Sequence, residues 1–181
     1  NFEQFLFFIN VPIFFVLSGF TFRVKADESF WHFLKNKFFR IMLPYFVWGL
    51  VFLIPYFAFG GDVANQLSQN SSFDFWTQVG NTFYGNGANN ALKQNGPLWF
   101  LPALFATEMS FYLVVKFVKK WQAQVLVFAS SITVGFLCTF FVNKVYLPWG
   151  LNSALTIGCF FYFGYLIREW KIIEKISLKM D

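Results

Sequence analysis

The chain has 181 residues, 57% hydrophobic and 24% aromatic, with 30 phenylalanines and a mean hydropathy of +0.51. Its charged share of 13% is half the roughly 25% of soluble domains and excludes an ordinary water-soluble fold. The net charge of +5 does not point to nucleic acid. The cations concentrate in the connections between apolar runs, where anionic lipid headgroups account for them.

The first apolar run, 2–22, is about the twenty residues that cross roughly 30 Å of hydrocarbon as a helix. Pro12 inside it removes a backbone donor and predicts a kink. Asn10 just before it either satisfies a freed backbone group or lines a cavity. Ser18 and Gly19 permit close helix packing. The connection that follows carries Arg23, Lys25, Lys35, Lys37 and Arg40. Its His32, the only histidine, has no partner at ligand spacing and reads as an interfacial residue. Lys37 and Arg40 stand three apart, hence on one face of a helix. Topology alone accounts for cations here; the alternative is a clamp for a polyanionic ligand, with Arg holding phosphate in bidentate fashion.

A second run, 41–59, leads to a long connection, 60–97, rich in Asn, Gln, Ser and Gly. Turn chemistry makes it a loop. Within it, Phe75, Trp76, Val79 and Phe83 recur at helical offsets and predict a short helix. Connections of this length are functional or disordered, and a lid or acceptor-binding element is the functional reading. The third run, 98–118, contains Glu108 ten residues in, about 15 Å along a helix. A carboxylate at that depth must face the interior, pair with a donor or be protonated. It is either a satisfied core group or a group that handles substrate or proton. Runs four and five are 123–142 and 147–167. Asn152 and Ser153, near the start of the last, serve as interhelical hydrogen-bond partners or as part of a pocket. Trp149 suits stacking or interfacial anchoring. Cys138 and Cys159 lie inside runs and have no metal or CxxC spacing; both read as small buried apolar groups. No metal site is expected. The tail, 169–181, alternates Ile172, Ile173, Ile176 and Met180 with charges and predicts an interfacial amphipathic helix.

By connection, the counts of Lys and Arg run five, one, three, one and four. That alternation puts the first, third and fifth connections in the cytoplasm and 60–97 outside. Continuous apolar runs without period-two alternation exclude a transmembrane β-barrel. The sequence therefore predicts an all-α integral membrane protein, a polytopic helical bundle with five transmembrane helices in one membrane domain, 1–181. Both ends read as cut from a longer domain.

Four stretches resemble the membrane acyltransferase-3 family, in particular its fucose-4-O-acetylase-like branch. Residues 8–20, FINVPIFFVLSGF, are similar to that branch's FHMPLFFFISGF. Residues 33–45 resemble its basic pair before a Pro-Tyr, with Lys37 and Arg40 where two arginines are usual. Gly96-Pro97-Leu98-Trp99-Phe100-Leu101 is similar to its WFL element. Leu147-Pro148-Trp149-Gly150-Leu151-Asn152 and 160–168, FFYFGYLIR, resemble a later helix. The likeness covers nearly the whole chain, as helices two to six of about ten. Asn10 departs from the pattern, standing where branch members carry His.

The resemblance implies an acyl-CoA-dependent O-acyltransferase, with acetyl-CoA presented from the cytoplasm and a cell-envelope carbohydrate as acceptor, in the bacterial cytoplasmic membrane. Lys37 and Arg40 would hold CoA phosphates. Glu108 would sit in a cavity with Asn10, Trp99 and Asn152, and Trp149 would stack on a sugar face. The family's essential histidine would lie upstream of Asn1. Membrane lipids and the carbohydrate are the implied partners; nucleic acid is not. Two other readings use the same residues: a transporter of small organic acids or glycan intermediates, and a noncatalytic membrane scaffold.

Overall fold

The computed structural model describes residues 2–25, 27–55, 57–58, 74–85, 96–141 and 147–170. All regular structure among them is helical. The elements are α1 (Phe2–Thr21), α2 (Phe30–Lys37), a π-helical turn (Phe38–Met42), α3 (Leu43–Val51) and α4 (Phe75–Tyr84). A 3-10 turn (Gly96–Trp99) leads into α5 (Phe100–Phe117); α6 (Trp121–Phe141), a second 3-10 turn (Pro148–Gly150) and α7 (Leu151–Glu169) follow.

Three helical stretches are long and apolar enough to cross a membrane: Phe100–Phe117, Trp121–Cys138 and Pro148–Glu169. The protein is thus a helical membrane protein, with three such spans among the described residues where the sequence predicts five. α1 itself runs the 20 residues Phe2–Thr21, with Asn10–Thr21 as an apolar stretch within it. The expected span 41–59 is not one continuous helix. α3 ends at Val51, and the Leu53 N–H bonds the Leu50 carbonyl at 3.0 Å, three residues back instead of four. The cause is Pro55, whose ring conflicts with the carbonyl four residues earlier, that of Val51. A second proline shapes the start of this region. In an α-helix the nitrogen of Pro44 would face the Arg40 carbonyl, which it cannot serve as donor. The chain widens instead: the Leu43 N–H bonds the Phe38 carbonyl, five residues back, as in a π-bulge.

The short helix expected in the long connection is present as α4. Asp74 caps it by accepting from the Thr77 N–H at 2.8 Å, and Gly85 ends it in the left-handed conformation, φ 67°. The rest of 60–97 and the tail beyond Trp170 lie outside the described residues.

The chain divides into two compact units. The first comprises Asn1–Glu28, Ser110–Asn143 and Asn152–Asp181. Its core is aromatic, as the phenylalanine content requires. Phe111, fully buried, meets Phe22 at 5.2 Å, Phe161 at 4.9 Å and Phe128 at 5.0 Å, and Phe128 stacks on Tyr162 at 4.5 Å. α1 and α7 cross in direct backbone contact, Gly19 on the Phe161 main chain and Gly164 on that of Val16. Small residues allow such approach where apolar burial offers little drive between helices. The cations here are structural as well as topological. Lys116 donates to the Glu28 carbonyl at 3.0 Å, joined there by the Tyr112 hydroxyl at 2.6 Å, and the Arg168 guanidinium donates to the Phe22 carbonyl.

The second unit comprises Ser29–Met109 and Lys144–Leu151. Here α4 docks on α3. The fully buried Tyr45 hydroxyl donates to the Thr82 carbonyl at 2.6 Å, Gly49 leaves room for the Thr82 methyl, and Phe46 meets Phe83 at 5.4 Å.

Candidate functional site

Glu108 lies midway along α5, whose Pro102 is tolerated because it falls in the first turn. Neighbouring Phe105 and Thr107 are buried, and so is Glu108, at 5% exposure. A buried carboxylate needs a partner. It has one: the Lys37 ammonium donates to Glu108 Oε1 at 2.9 Å, across 71 residues of sequence. Lys37 is the last residue of α2, and its side chain is 22% exposed. Its ammonium also lies 5.4 Å from the centre of the buried Phe33 ring. The next residue, Phe38, sets its ring edge-on to Phe105 at 6.4 Å, holding the π turn against α5 beside the ion pair. Of the three fates open to Glu108, the structure displays pairing.

The pairing is incomplete. Glu108 Oε2 is buried and has no hydrogen-bond partner among the described residues. Native proteins satisfy nearly all such atoms, which makes this oxygen the candidate acceptor of the site. Arg40 is exposed and makes no hydrogen bond or salt bridge among the described residues, although its charge acts on Glu108. Lys37 and Arg40 therefore differ in surroundings despite their three-residue spacing. Lys37 ends α2 and Arg40 lies inside the widened turn Phe38–Met42, where the α-helical face argument does not carry over.

Trp149 belongs to the same unit. Its indole N–H donates to the Phe83 carbonyl at 3.2 Å, and its ring lies edge-on to Phe105 at 6.1 Å. It borders a groove of about 620 Å³ lined by Gly80, Phe83, Tyr84, Pro148 and Leu151. Its backbone is left-handed, φ 54°, as is that of Gly150, φ 61°. Trp99, half-buried, closes the 3-10 turn before α5. Asn10 is exposed on α1 and Asn152 half-buried on α7, both in the first unit. His32 is exposed, and its backbone N–H donates to the Ser29 hydroxyl oxygen that caps α2. No group of His, Cys, Asp and Glu able to hold a metal occurs among the described residues.

Sequence reasoning missed the Lys37–Glu108 pair and the bent backbone at Trp149. The second had a signal, Pro148-Trp149-Gly150, a turn tripeptide. The first had none beyond the rule that an intramembrane carboxylate seeks a cation.

A buried, lysine-bound carboxylate in a helical membrane protein is the candidate site. The acyltransferase-3 family model, an acyltransferase domain, matches residues 1–178. The chain belongs to that family and carries a membrane acyltransferase domain. No curated protein and no solved structure matches it.

Proposed function

We propose that the protein transfers an acetyl group from acetyl-CoA to a hydroxyl of a cell-envelope carbohydrate, as a member of the fucose-4-O-acetylase-like branch in the bacterial cytoplasmic membrane. The observation that carries this reading is the Glu108 carboxylate, with one oxygen fixed at 2.9 Å by Lys37 and the other buried and open. Acyl transfer to an alcohol needs a group that holds the hydroxyl proton and orients the attacking oxygen. Glu108 Oε2 accepts that hydrogen. Lys37 fixes the carboxylate plane and offsets the cost of burying its charge.

The thioester supplies the acyl group: its C–S bond breaks as the new C–O bond forms, and CoA leaves as the thiol with the proton given up by the hydroxyl. On the donor side, the exposed guanidinium of Arg40 fits a phosphate oxygen pair; Lys37 beside it is already engaged. The lysine and arginine alternation turns this end of α2 toward the cytoplasm, where acyl-CoA is available. On the acceptor side, Trp149 offers a ring face, 40% exposed, of the kind on which sugars stack. Trp99, in the same unit, supplies further aromatic surface for the acceptor.

Mass spectrometry of envelope carbohydrate from cells with and without the full-length protein tests the reading. The expected result is an acetyl ester present only with the protein. Identical carbohydrate in both, with the protein expressed and inserted, refutes it.

A further inference from the structure

α4 lies in the connection 60–97, which the lysine and arginine alternation puts outside, yet it buries its polar face and turns its apolar one outward. Gln78 and Thr82, one turn apart, are buried, and Thr82 packs against Tyr45 and Gly49 of α3. The Thr82 hydroxyl donates to the Gln78 carbonyl at 2.8 Å, so this face needs no water. Trp76 is 75% exposed, and Phe83, two turns on, is 55% exposed. A helix bathed in water presents the opposite faces. We propose that the outward face of α4 is seated in the lipid boundary of the outer leaflet, which makes α4 a membrane-interfacial helix and not an aqueous lid.

Three further observations select lipid as the occupant of that face. The first is composition. Phe75–Tyr84 carries no charged residue, and Trp76 and Tyr84 near its ends are the amphipathic rings that gather at membrane–water boundaries. The second is continuity with an apolar run of membrane-crossing length. Phe83 meets Phe46 at 5.4 Å, and Phe75 meets the exposed Phe57 at 5.3 Å. Those contacts join α4 to the run 41–59, whose own exposed apolar residues, Leu43, Val47, Leu50 and Ile54, recur at helical spacing. The third is side-chain size. Helices that pack on one another in a membrane meet through small residues. On α4 that close contact is the inward one, at Gly49; the outward stripe sets two large rings beside one glycine, Gly80. At 10 residues, about 15 Å, α4 covers only half the hydrocarbon, so it lies in the boundary without crossing. The groove lined by Gly80, Phe83 and Tyr84 then has a wall fixed at the bilayer surface.

The test uses the full-length protein with its native cysteines replaced by alanine, in nanodiscs of phosphatidylethanolamine and phosphatidylglycerol. A nitroxide is attached at Trp76→Cys or at Phe83→Cys. Power-saturation EPR compares its collisions with oxygen, which concentrates in hydrocarbon, and with a water-soluble nickel chelate. A spin-labelled phospholipid in the same discs sets the lipid reference, and free label sets the aqueous one. Both positions should shift away from the aqueous reference to the oxygen-dominated ratio of the phospholipid. Chelate-dominated collisions at either position would place that face in water and overturn the proposal. An immobile spectrum that neither oxygen nor chelate reaches would mean that another protein segment covers the face, and would overturn it equally. Should the loss of either ring prevent folding, Gly80→Cys decides by the same ratio, since an added Cβ there meets nothing within 4 Å.

Discussion

Trp149 stands at φ 54°, ψ 29°, where an L-residue costs roughly 1–2 kcal/mol because Cβ crowds the following carbonyl. That strain gives a clean comparison. Trp149→Gly and Trp149→Ala both lose the ring and its hydrogen bond to Phe83, but only glycine relaxes the backbone. Trp149→Gly should be the more stable of the two by about 1 kcal/mol, read from thermal melts in detergent. Tyr45→Phe removes the 2.6 Å hydrogen bond to the Thr82 carbonyl without changing shape. It should cost about 0.5–1.5 kcal/mol, read the same way. Asp74 titrates at the cap of α4. Hydrogen bonds from the Thr77 hydroxyl and N–H hold its carboxyl below the ordinary 3.8. A depressed carboxylate stabilises the folded state above its unfolded pKa, and the contribution is lost as pH falls through the lower folded value. Acid unfolding of the wild type should therefore include loss of this cap, whereas Asp74→Asn, still a capping residue, should flatten that acid limb. Identical acid limbs would remove the cap from the account.

At the scale of elements, glycines separate tight crossings from open faces. Gly19 and Gly164 meet the partner main chain, which cannot yield as a flexible side chain does. Gly19→Ala or Gly164→Ala should therefore destabilise by about 1–3 kcal/mol. Gly80 on α4 has nothing within 4 Å of an added Cβ, so Gly80→Ala should stabilise by roughly 0.5–1 kcal/mol through helix propensity alone. Thermal melts of the three variants check both signs. How much of this was readable in advance follows from period and range. The apolar lengths foretold α5, α6 and α7 to within about four residues at each end, and the offsets of Phe75, Val79 and Phe83 foretold α4. The break of α3 was missed, although Pro55 inside the run 41–59 was its signal. The candidate site was legible as residues and not as an arrangement. Glu108 stood out by depth and Lys37 by charge, but a contact across 71 positions leaves no local trace. Their pairing depends on how α2, the π turn and α5 pack, which one-dimensional spacing does not encode.

At the scale of the molecule, three helices able to span a membrane among the described residues and a family match over 1–178 fix the class: a membrane acyltransferase domain. The charge alternation adds a direction. Impermeant thiol labelling of intact cells should modify a cysteine placed at position 70 and spare one at position 30; the reverse pattern would invert the topology and move Arg40 away from cytoplasmic acyl-CoA. The central claim is that the open oxygen of Glu108 handles the acceptor hydroxyl. Its most direct test is transfer of labelled acetyl from acetyl-CoA by full-length Glu108→Gln in nanodiscs, with acetyl-CoA binding and thermal stability measured on the same sample. The amide keeps the volume and one oxygen acceptor but loses the charge. The account predicts a folded protein that binds acetyl-CoA normally and loses most acetyl transfer. Full transfer with raised thermal stability would contradict it and leave Glu108 as a packed core residue held by Lys37.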